Sequence, residues 1–530
     1  MQKNNIPFHK TGYFSSLICD YLDKKSDLKQ FYNRFPDIEN FKTQIEEKKA
    51  SFNEQSRITL VDSLKKQYQD IETSELTHQH INSLQTENTF TITTGHQLNL
   101  FTGPLYFLYK IISTINLSSQ LKIKYPNYNF VPVYWMATED HDFEEINYFN
   151  FKGKKIRWNR NSSGAVGELS NDGLQDIFDV LSDEFGQTKN AEVLKTLFKK
   201  AYLEHDNLAD ATRFLANDLF KDYGLVIVDA NDAALKAQFK PFVEQEFENK
   251  SSFNAVSNTN KTLSKHYTIQ VNPRDINLFY LDKNTRERIV FKDGMFSVLN
   301  TDLQWHLNDI KKILAEHPER FSPNVIMRPL YQEVILPNLC YIGGGGELAY
   351  WFQLKNYFDS VKVPFPILLL RNSVLIKTTS QSKKLDKLNI SDEDLFLKRD
   401  SFINKKVREI SNIDINFSSQ KKLLKQQFEH LHKLAQQTDK SFIGTVKAQE
   451  AKQLKGLNTL EKRLLTAQKK KLSDHVMRIT DIQNELFPNK SLQERNTNFS
   501  EFYLEYGDTL IPKLIENLEP LQNEFFVLTL

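Results

Sequence analysis

Between Thr89 and Met136 the chain spells out a strand, a glycine-bearing loop, a helix and a second strand, and this unit restricts the fold more than any other feature. Residues 89–94 set Phe90 and Ile92 among threonines, and residues 130–136 are mostly apolar, so both read as strands. Between them Leu105, Leu108, Ile111, Ile112 and Ile115 fall on one helical face behind Pro104. Two strands joined by a helix over about fifty residues pair in parallel, with a right-handed crossover. Residues 225–229 and 366–371 have the near-continuous apolar texture of strands buried on both faces. Residues 155–220 read mostly as helices, and residues 266–299 alternate as an antiparallel meander turning at Asp282-Lys283-Asn284 and Asp293-Gly294. The fold class is therefore α/β, a parallel-sheet core interrupted by insertions.

From about residue 376 glycine and proline nearly vanish until Pro488. Leu465, Leu472, Ile479 and Leu486 recur at every seventh position, with Leu457 and Leu464 on a neighbouring row, which predicts a long helical coiled-coil domain. Residues 380–480 hold about 22 Lys and Arg against about 12 Asp and Glu. A solvated coiled-coil surface accounts for that excess, and with few aromatics and no recognisable motif the stretch does not read as a nucleic-acid site. The whole chain carries a formal charge of only +2, which gives no reason for a nucleic-acid or membrane partner. No run approaches the roughly 18 apolar residues that cross a bilayer, and the first residues lack the apolar core of a signal peptide. Cys19 and Cys340 are the only cysteines, so neither a disulfide framework nor a structural zinc site is available, and a reducing cytoplasm fits.

Seven segments are expected: N-terminal helices and the first half of the core over 1–155, a mainly helical insertion over 156–220, and a core strand and helix over 221–250. A second insertion with antiparallel strands follows over 251–320, the second half of the core over 321–378, the coiled coil over 379–487, and a C-terminal helical segment over 488–530.

Ligands of parallel α/β sheets bind beyond the carboxyl ends of the strands, and three loops have that address. The first carries Thr94, Gly95, His96, Gln97, Thr102 and Gly103. Its glycines permit close backbone approach, and the helix behind Pro104 offers free N–H groups to an anion; the same residues also suit a plain turn with Thr102 as helix cap. The second is Glu139-Asp140-His141-Asp142, whose density of ionisable groups suits an ammonium or proton transfer, or an acidic cap on the next helix. No His cluster at ligand spacing accompanies it, so no metal site is expected. The third is the run Gly343-Gly344-Gly345-Gly346 before Glu347, which can turn several N–H groups toward one anion or act as a hinge. Cys340, among apolar neighbours with no adjacent base, reads as a buried thiol.

These loops, together with Pro132-Val133-Tyr134-Trp135-Met136, Ser322-Pro323-Asn324 and Arg328-Pro329, Tyr341-Ile342, and Asn484-Glu485-Leu486-Phe487-Pro488 with Gln493-Glu494-Arg495, resemble the BshC family of bacillithiol biosynthesis, collinearly over nearly the whole chain. The resemblance implies a Rossmann-like core with connecting-peptide insertions, similar in layout to class I aminoacyl-tRNA synthetases, and a coiled coil that forms a homodimer. It further implies a cysteine ligase that joins the carboxylate of L-cysteine to the amine of glucosaminyl-malate. A free carboxylate is a poor electrophile, so ATP or another activating cosubstrate with Mg²⁺ is expected. On that reading the first loop and its helix hold nucleotide or acyl-phosphate oxygens, and Glu139, Asp140, His141 and Asp142 bind the cysteine ammonium, with His141 as base. The Gly343 to Gly346 run and Glu347 shape the acceptor pocket, and Arg328 pairs with a malate carboxylate. The alternatives are another nucleotidyl or aminoacyl transfer on the same scaffold, and a non-catalytic nucleotide-binding dimer that scaffolds a pathway.

Overall fold

The computed structural model describes residues 2–530. Its centre is a five-stranded parallel sheet of β1 (Thr89–His96), β2 (Asn129–Met136), β3 (Val226–Asp229), β4 (Asn338–Gly343) and β5 (Ile367–Leu370), in the order β5-β4-β1-β2-β3. The helix α1 (Tyr106–Lys124) carries the chain from β1 to β2. This is the Rossmann-like arrangement. The chain runs from β1 outward to β3, then crosses back to β4 on the other side, so the strand order reverses between β1 and β4 and leaves a crevice beyond their carboxyl ends.

The sheet interior explains the strand composition. All of β1 is buried, threonines included, and the Thr91 and Thr93 hydroxyls donate to Asn338 Oδ1 at 3.2 and 2.8 Å. Buried hydroxyls with partners are tolerated where lone ones are costly. Residues 338–343, not among the strands expected from the sequence, form the fully buried strand β4, paired on both sides. Their apolar run, Leu339 to Ile342, is too short for its periodicity to distinguish strand from helix.

Between β2 and β3 lie an antiparallel ribbon (Tyr148–Phe151 with Lys154–Arg157) and helices Leu174–Phe185, Lys189–Leu203 and Leu208–Phe220, so the boundary expected at 155/156 cuts the ribbon. The second insertion holds helices Ala233–Asn249 and Ser251–Leu263, then the expected meander Leu278–Asp282, Thr285–Lys292 and Met295–Val298. Asn284, Asp293 and Gly294 have positive φ at its turns, as tight hairpins require.

The ends of the chain depart from the helical expectation. Gln2–Pro7 is a strand antiparallel to Glu524–Thr529, which pairs in parallel with Val374–Lys377 directly after the core. Residues 2–7 and 524–529 are thus clasped onto the domain junction.

The heptad leucines are spent inside the chain. Helix Lys440–Lys471 ends at Leu472 and a new helix, Ser473–Leu486, begins. Leu465 packs with Val407 and Ile415, whereas Ile479 and Leu486 join the main core. Helices Ser418–Ala435 and Lys440–Lys471 form an antiparallel hairpin, tied by Lys421–Glu461 at 2.5 Å and His432–Glu450 at 2.9 Å. Leu423, Leu434, Phe442 and Leu460 remain exposed on it. Among the described residues no helix is long and apolar enough to cross a membrane.

Asp394 anchors the base of this domain. Burial raises its pKa, but Lys405 at 2.5 Å and Lys406 at 2.7 Å outweigh burial and bring it down to about 2. A depressed carboxylate stabilises the fold above its unfolded pKa, and that contribution is lost as pH falls from about 4 through about 2. Asp394→Asn should therefore flatten the acid limb of the stability profile in that window, measured by thermal melts at stepped pH. An unchanged limb refutes the assignment.

Candidate active site

The crevice between β1 and β4 is built from residues that could not approach one another if the glycines carried side chains. A methyl on Gly343 would lie 2.9 Å from the Tyr341 ring and 3.0 Å from Leu348, and one on Gly95 would lie 3.3 Å from Tyr341 Oη and 3.9 Å from Arg328. Thr94 is wholly buried and ties the strands together by donating from Oγ1 to the Ile342 carbonyl at 2.8 Å.

A carboxylate stands at the centre. Glu347, on helix α2 (Gly345–Trp351), folds back so that Oε2 accepts from Gly344 N at 2.8 Å and pairs with Lys110 Nζ at 2.6 Å, while Oε1 accepts from Tyr341 Oη at 2.7 Å. Lys110 also donates to the Gly95 carbonyl at 2.6 Å. Burial pushes the Glu347 pKa up, but Lys110 and these donors outweigh it and hold it below its usual value, so it is ionised. Arg328 stands over Trp135 and Tyr341, with ring distances of 5.6 and 5.8 Å, and Nη1 donates to Gln332 at 3.1 Å. Arg371 extends from the end of β5. Its Nη2 donates to Glu494 at 2.7 Å and its Nη1 to the Asn372 carbonyl at 2.8 Å, while Nε is buried with no partner. Lys110, Arg328 and Arg371 thus surround one lining carboxylate, a donor set that fits an anion such as a carboxylate or phosphate.

A second cluster lies beside it, beyond β2. Gln97 Nε2 donates to Asp140 Oδ2 and Glu145 Oε2, both at 2.9 Å. Burial raises the Asp140 pKa, but hydrogen bonds from Gln97 and the His141 backbone amide and the charge of Arg286 hold it well below the ordinary carboxylate range. Arg286 Nη1 lies 2.6 Å from His141 Nδ1, and because arginine only donates, that nitrogen accepts and Nε2 carries the proton. Glu139 turns away into an ion pair with the buried Lys236, and Asp142 is exposed at the start of a short helix.

The sequence candidates therefore separate. Gly95, Arg328, Gly343, Gly344 and Glu347 come together at the crevice, and Gly345 and Gly346 open α2 beside it, Gly345 against Ile18. Gln97, Asp140 and His141 form the second cluster, which Glu139 leaves. His96 is buried against Tyr106 and Phe107, and burial together with Lys110 drives its pKa well down, leaving it neutral. Thr102 and Gly103 are buried in a turn instead of capping a helix. The helix expected behind Pro104 starts at Tyr106, with Leu105 N already donating to the Thr497 carbonyl at 2.9 Å. The amides of Phe107 and Leu108 donate to Pro104 and Leu105, so most N–H groups there are not free for an anion. Cys340 lies in β4 with burial raising its pKa, an unreactive thiol. Among the described residues no group of three His, Cys, Asp or Glu is placed to hold a metal.

Lys110, Arg371 and Arg286 were not among the sequence candidates. Lys110 had a signal, a lone charge in the apolar row of α1, and Arg371 another, a charge at the carboxyl end of an apolar strand. Arg286 sits in a strand of alternating charges and had none.

Two family descriptions match the chain end to end: the N-terminal Rossmann-like domain of bacillithiol biosynthesis BshC over residues 1–372, and the C-terminal coiled-coil domain of BshC over residues 374–530. Curated relatives bear the name "Putative cysteine ligase BshC". The one from Flavobacterium johnsoniae is 60% identical over the full length of both chains. The one from Christiangramia forsetii is 59% identical over 100% of this chain and 99% of its own, and that from Cytophaga hutchinsonii 39% identical over 97% and 96%.

Proposed function

This chain belongs to the BshC family of bacillithiol biosynthesis, and on that premise we propose that it is the ligase joining L-cysteine to glucosaminyl-malate in the last step of the pathway. The observation that carries the reading is the cationic crevice, where Lys110, Arg328 and Arg371 surround Glu347 at the reversal of strand order. Both substrates are carboxylates, and forming an amide from them brings negative charges together in one site. ATP or another activating cosubstrate with Mg²⁺ supplies the leaving group that a free carboxylate lacks. Lys110 and Arg371 then provide the field that offsets acyl and phosphoryl charge, and Arg328, half-buried and stacked between aromatic rings, pairs with a malate carboxylate.

In the neighbouring cluster Asp140, held ionised, receives the cysteine ammonium. His141 takes the proton from the attacking glucosamine amine at Nδ1, the nitrogen whose lone pair Arg286 now occupies, so the incoming amine exchanges with Arg286. The chain works as a cytoplasmic homodimer, with the exposed leucines of the helical hairpin as the contact.

The test is a reaction of the purified chain with L-cysteine, glucosaminyl-malate, ATP and Mg²⁺, with bacillithiol followed by mass spectrometry and nucleotide products in parallel. AMP indicates an adenylate and ADP an acyl phosphate; folded protein that makes no product with any activating cosubstrate refutes the reading. In the same assay Arg328→Ala should raise KM for glucosaminyl-malate about 10–100-fold, as the loss of a charged hydrogen bond of ~1.5–3 kcal/mol implies. Its KM for L-cysteine should not change, and an unchanged KM for glucosaminyl-malate makes Arg328 structural.

A further inference from the structure

The turn between β1 and α1 is held in a conformation its residues disfavour. Phe101, Thr102 and Gly103 have successive φ values of 47°, 68° and 63°. The left-handed region is costly for a bulky aromatic and for a β-branched residue, and such strain persists only where the surroundings over-determine it. Gly103 alone suits its place, since a methyl there would lie 2.7 Å from Asn99 Cβ.

The surroundings come from other parts of the chain. Phe101 N donates to Tyr202 Oη of the helical insertion at 2.8 Å. Asn498, wholly buried in the C-terminal domain, donates both amide hydrogens back onto the turn, to the Phe101 carbonyl at 2.8 Å and the Gly103 carbonyl at 2.6 Å. Its own Oδ1 accepts from Ser500 N at 3.0 Å, so the amide orientation is determined. Leu105 N donates to the Thr497 carbonyl at 2.9 Å, and Glu494, three residues earlier in the same segment, holds Arg371.

We infer that Asn498 is a positioning residue of the active site, through which the C-terminal domain sets the turn that carries Gln97 at one end and Lys110, one helical turn into α1, at the other. The coiled-coil domain is then part of the site in the same chain, and not only a means of assembly. The inference rests on the ligase reading for what the turn is used for, but not for the brace itself.

Hydrogen exchange on the full chain, which needs no substrate, tests the brace. In Asn498→Asp the two donors become acceptors facing two carbonyls, and the amides of Phe101, Gly103 and Leu105 should exchange at least tenfold faster while those of β2 keep their rates. Adding Thr102→Gly, which tolerates positive φ without strain, should restore most of that protection. Where the wild type turns over, Asn498→Asp should lower kcat at least tenfold and leave KM for L-cysteine within threefold. If the aspartate variant does not fold, Asn498→Ser, which replaces the two amide donors with one short hydroxyl and adds no charge, is read the same way. A protected turn with wild-type kcat, faster exchange spread evenly over the core, or no rescue by Thr102→Gly each overturns the inference. A braced turn in a wild type that makes no product counts against the substrates alone.

Discussion

Lys48→Met is expected to destabilise the core domain by about 3–5 kcal/mol, because it strands a carboxylate where no water reaches. Lys48 Nζ lies 3.1 Å from Glu333 Oε2, and the two side chains are 1% and 0% exposed. The remaining donors, Asn338 Nδ2 at 2.6 Å and Gln332 Nε2 at 3.0 Å, are neutral and cannot replace the ammonium. Burial already pushes the Glu333 pKa above its usual value even with Lys48 in place. A carboxyl whose folded pKa is raised binds its proton more tightly in the folded state, so its ionisation costs stability as pH rises through that range. Losing Lys48 raises it further. The penalty should therefore be larger at pH 8 than at pH 5, read as the shift in the urea transition of the core. Lys48→Met combined with Glu333→Met should recover most of the loss, since apolar replacement of a whole buried pair is often close to neutral. A single-variant loss under about 1 kcal/mol would mean that solvent reaches Glu333.

The same pair shows what a sequence conceals. Lys48 stands in a helix among other lysines, and nothing in Glu46-Glu47-Lys48-Lys49 marks one of four charges as buried. The central unit was legible because its signals are local: Phe90 and Ile92 among threonines, the apolar row of α1, and the run from Phe130 to Met136 each specify an element without reference to a distant partner. The strands at the two termini were not. Asn4 and Asn5 give Gln2–Pro7 no strand signal, and its partner, Glu524–Thr529, lies at the other end of the chain. The heptad spacing of Leu465, Ile479 and Leu486 correctly marked an apolar seam. Periodicity does not say whether a second chain or the same one fills it, and here Val407, Ile415 and the core do so.

The site divides along the same line. Glycines announced the crevice, because a close approach requires them wherever their neighbours come from. Charge density announced the Glu139 to Asp142 loop, but the four groups part because Lys236 draws Glu139 aside and Arg286 approaches His141 from the second insertion. Such pairings are long-range, and composition carries no record of them.

The largest effect on activity is expected from Glu347→Gln, with a fall in kcat/KM on the order of 10²-fold, equivalent to about 2.7 kcal/mol. The substitution is isosteric, removes the charge and exchanges one oxygen for an NH2 group. In the native protein both Glu347 oxygens accept, one from Lys110 and Gly344 N and the other from Tyr341. A glutamine turns one of these acceptors into a donor, which then faces either Tyr341 or Lys110 with no lone pair to offer. Lys110, 4% exposed, keeps the Gly95 carbonyl and at most a neutral amide oxygen, and although Arg371 retains Glu494, Lys110 has lost its paired charge. Burial already lowers the Lys110 pKa, and without Glu347 it falls further, so the ammonium becomes easier to deprotonate. The variant's kcat/KM should then decline at a lower pH than the wild type's on the alkaline side, a displacement that a mere packing defect does not produce. Glu347→Asp, which keeps the charge on a shorter arm, should retain more activity than the glutamine. If the glutamine variant matches the wild type in kcat/KM and in alkaline profile, Glu347 is a helix cap and the crevice charge is not used in the reaction.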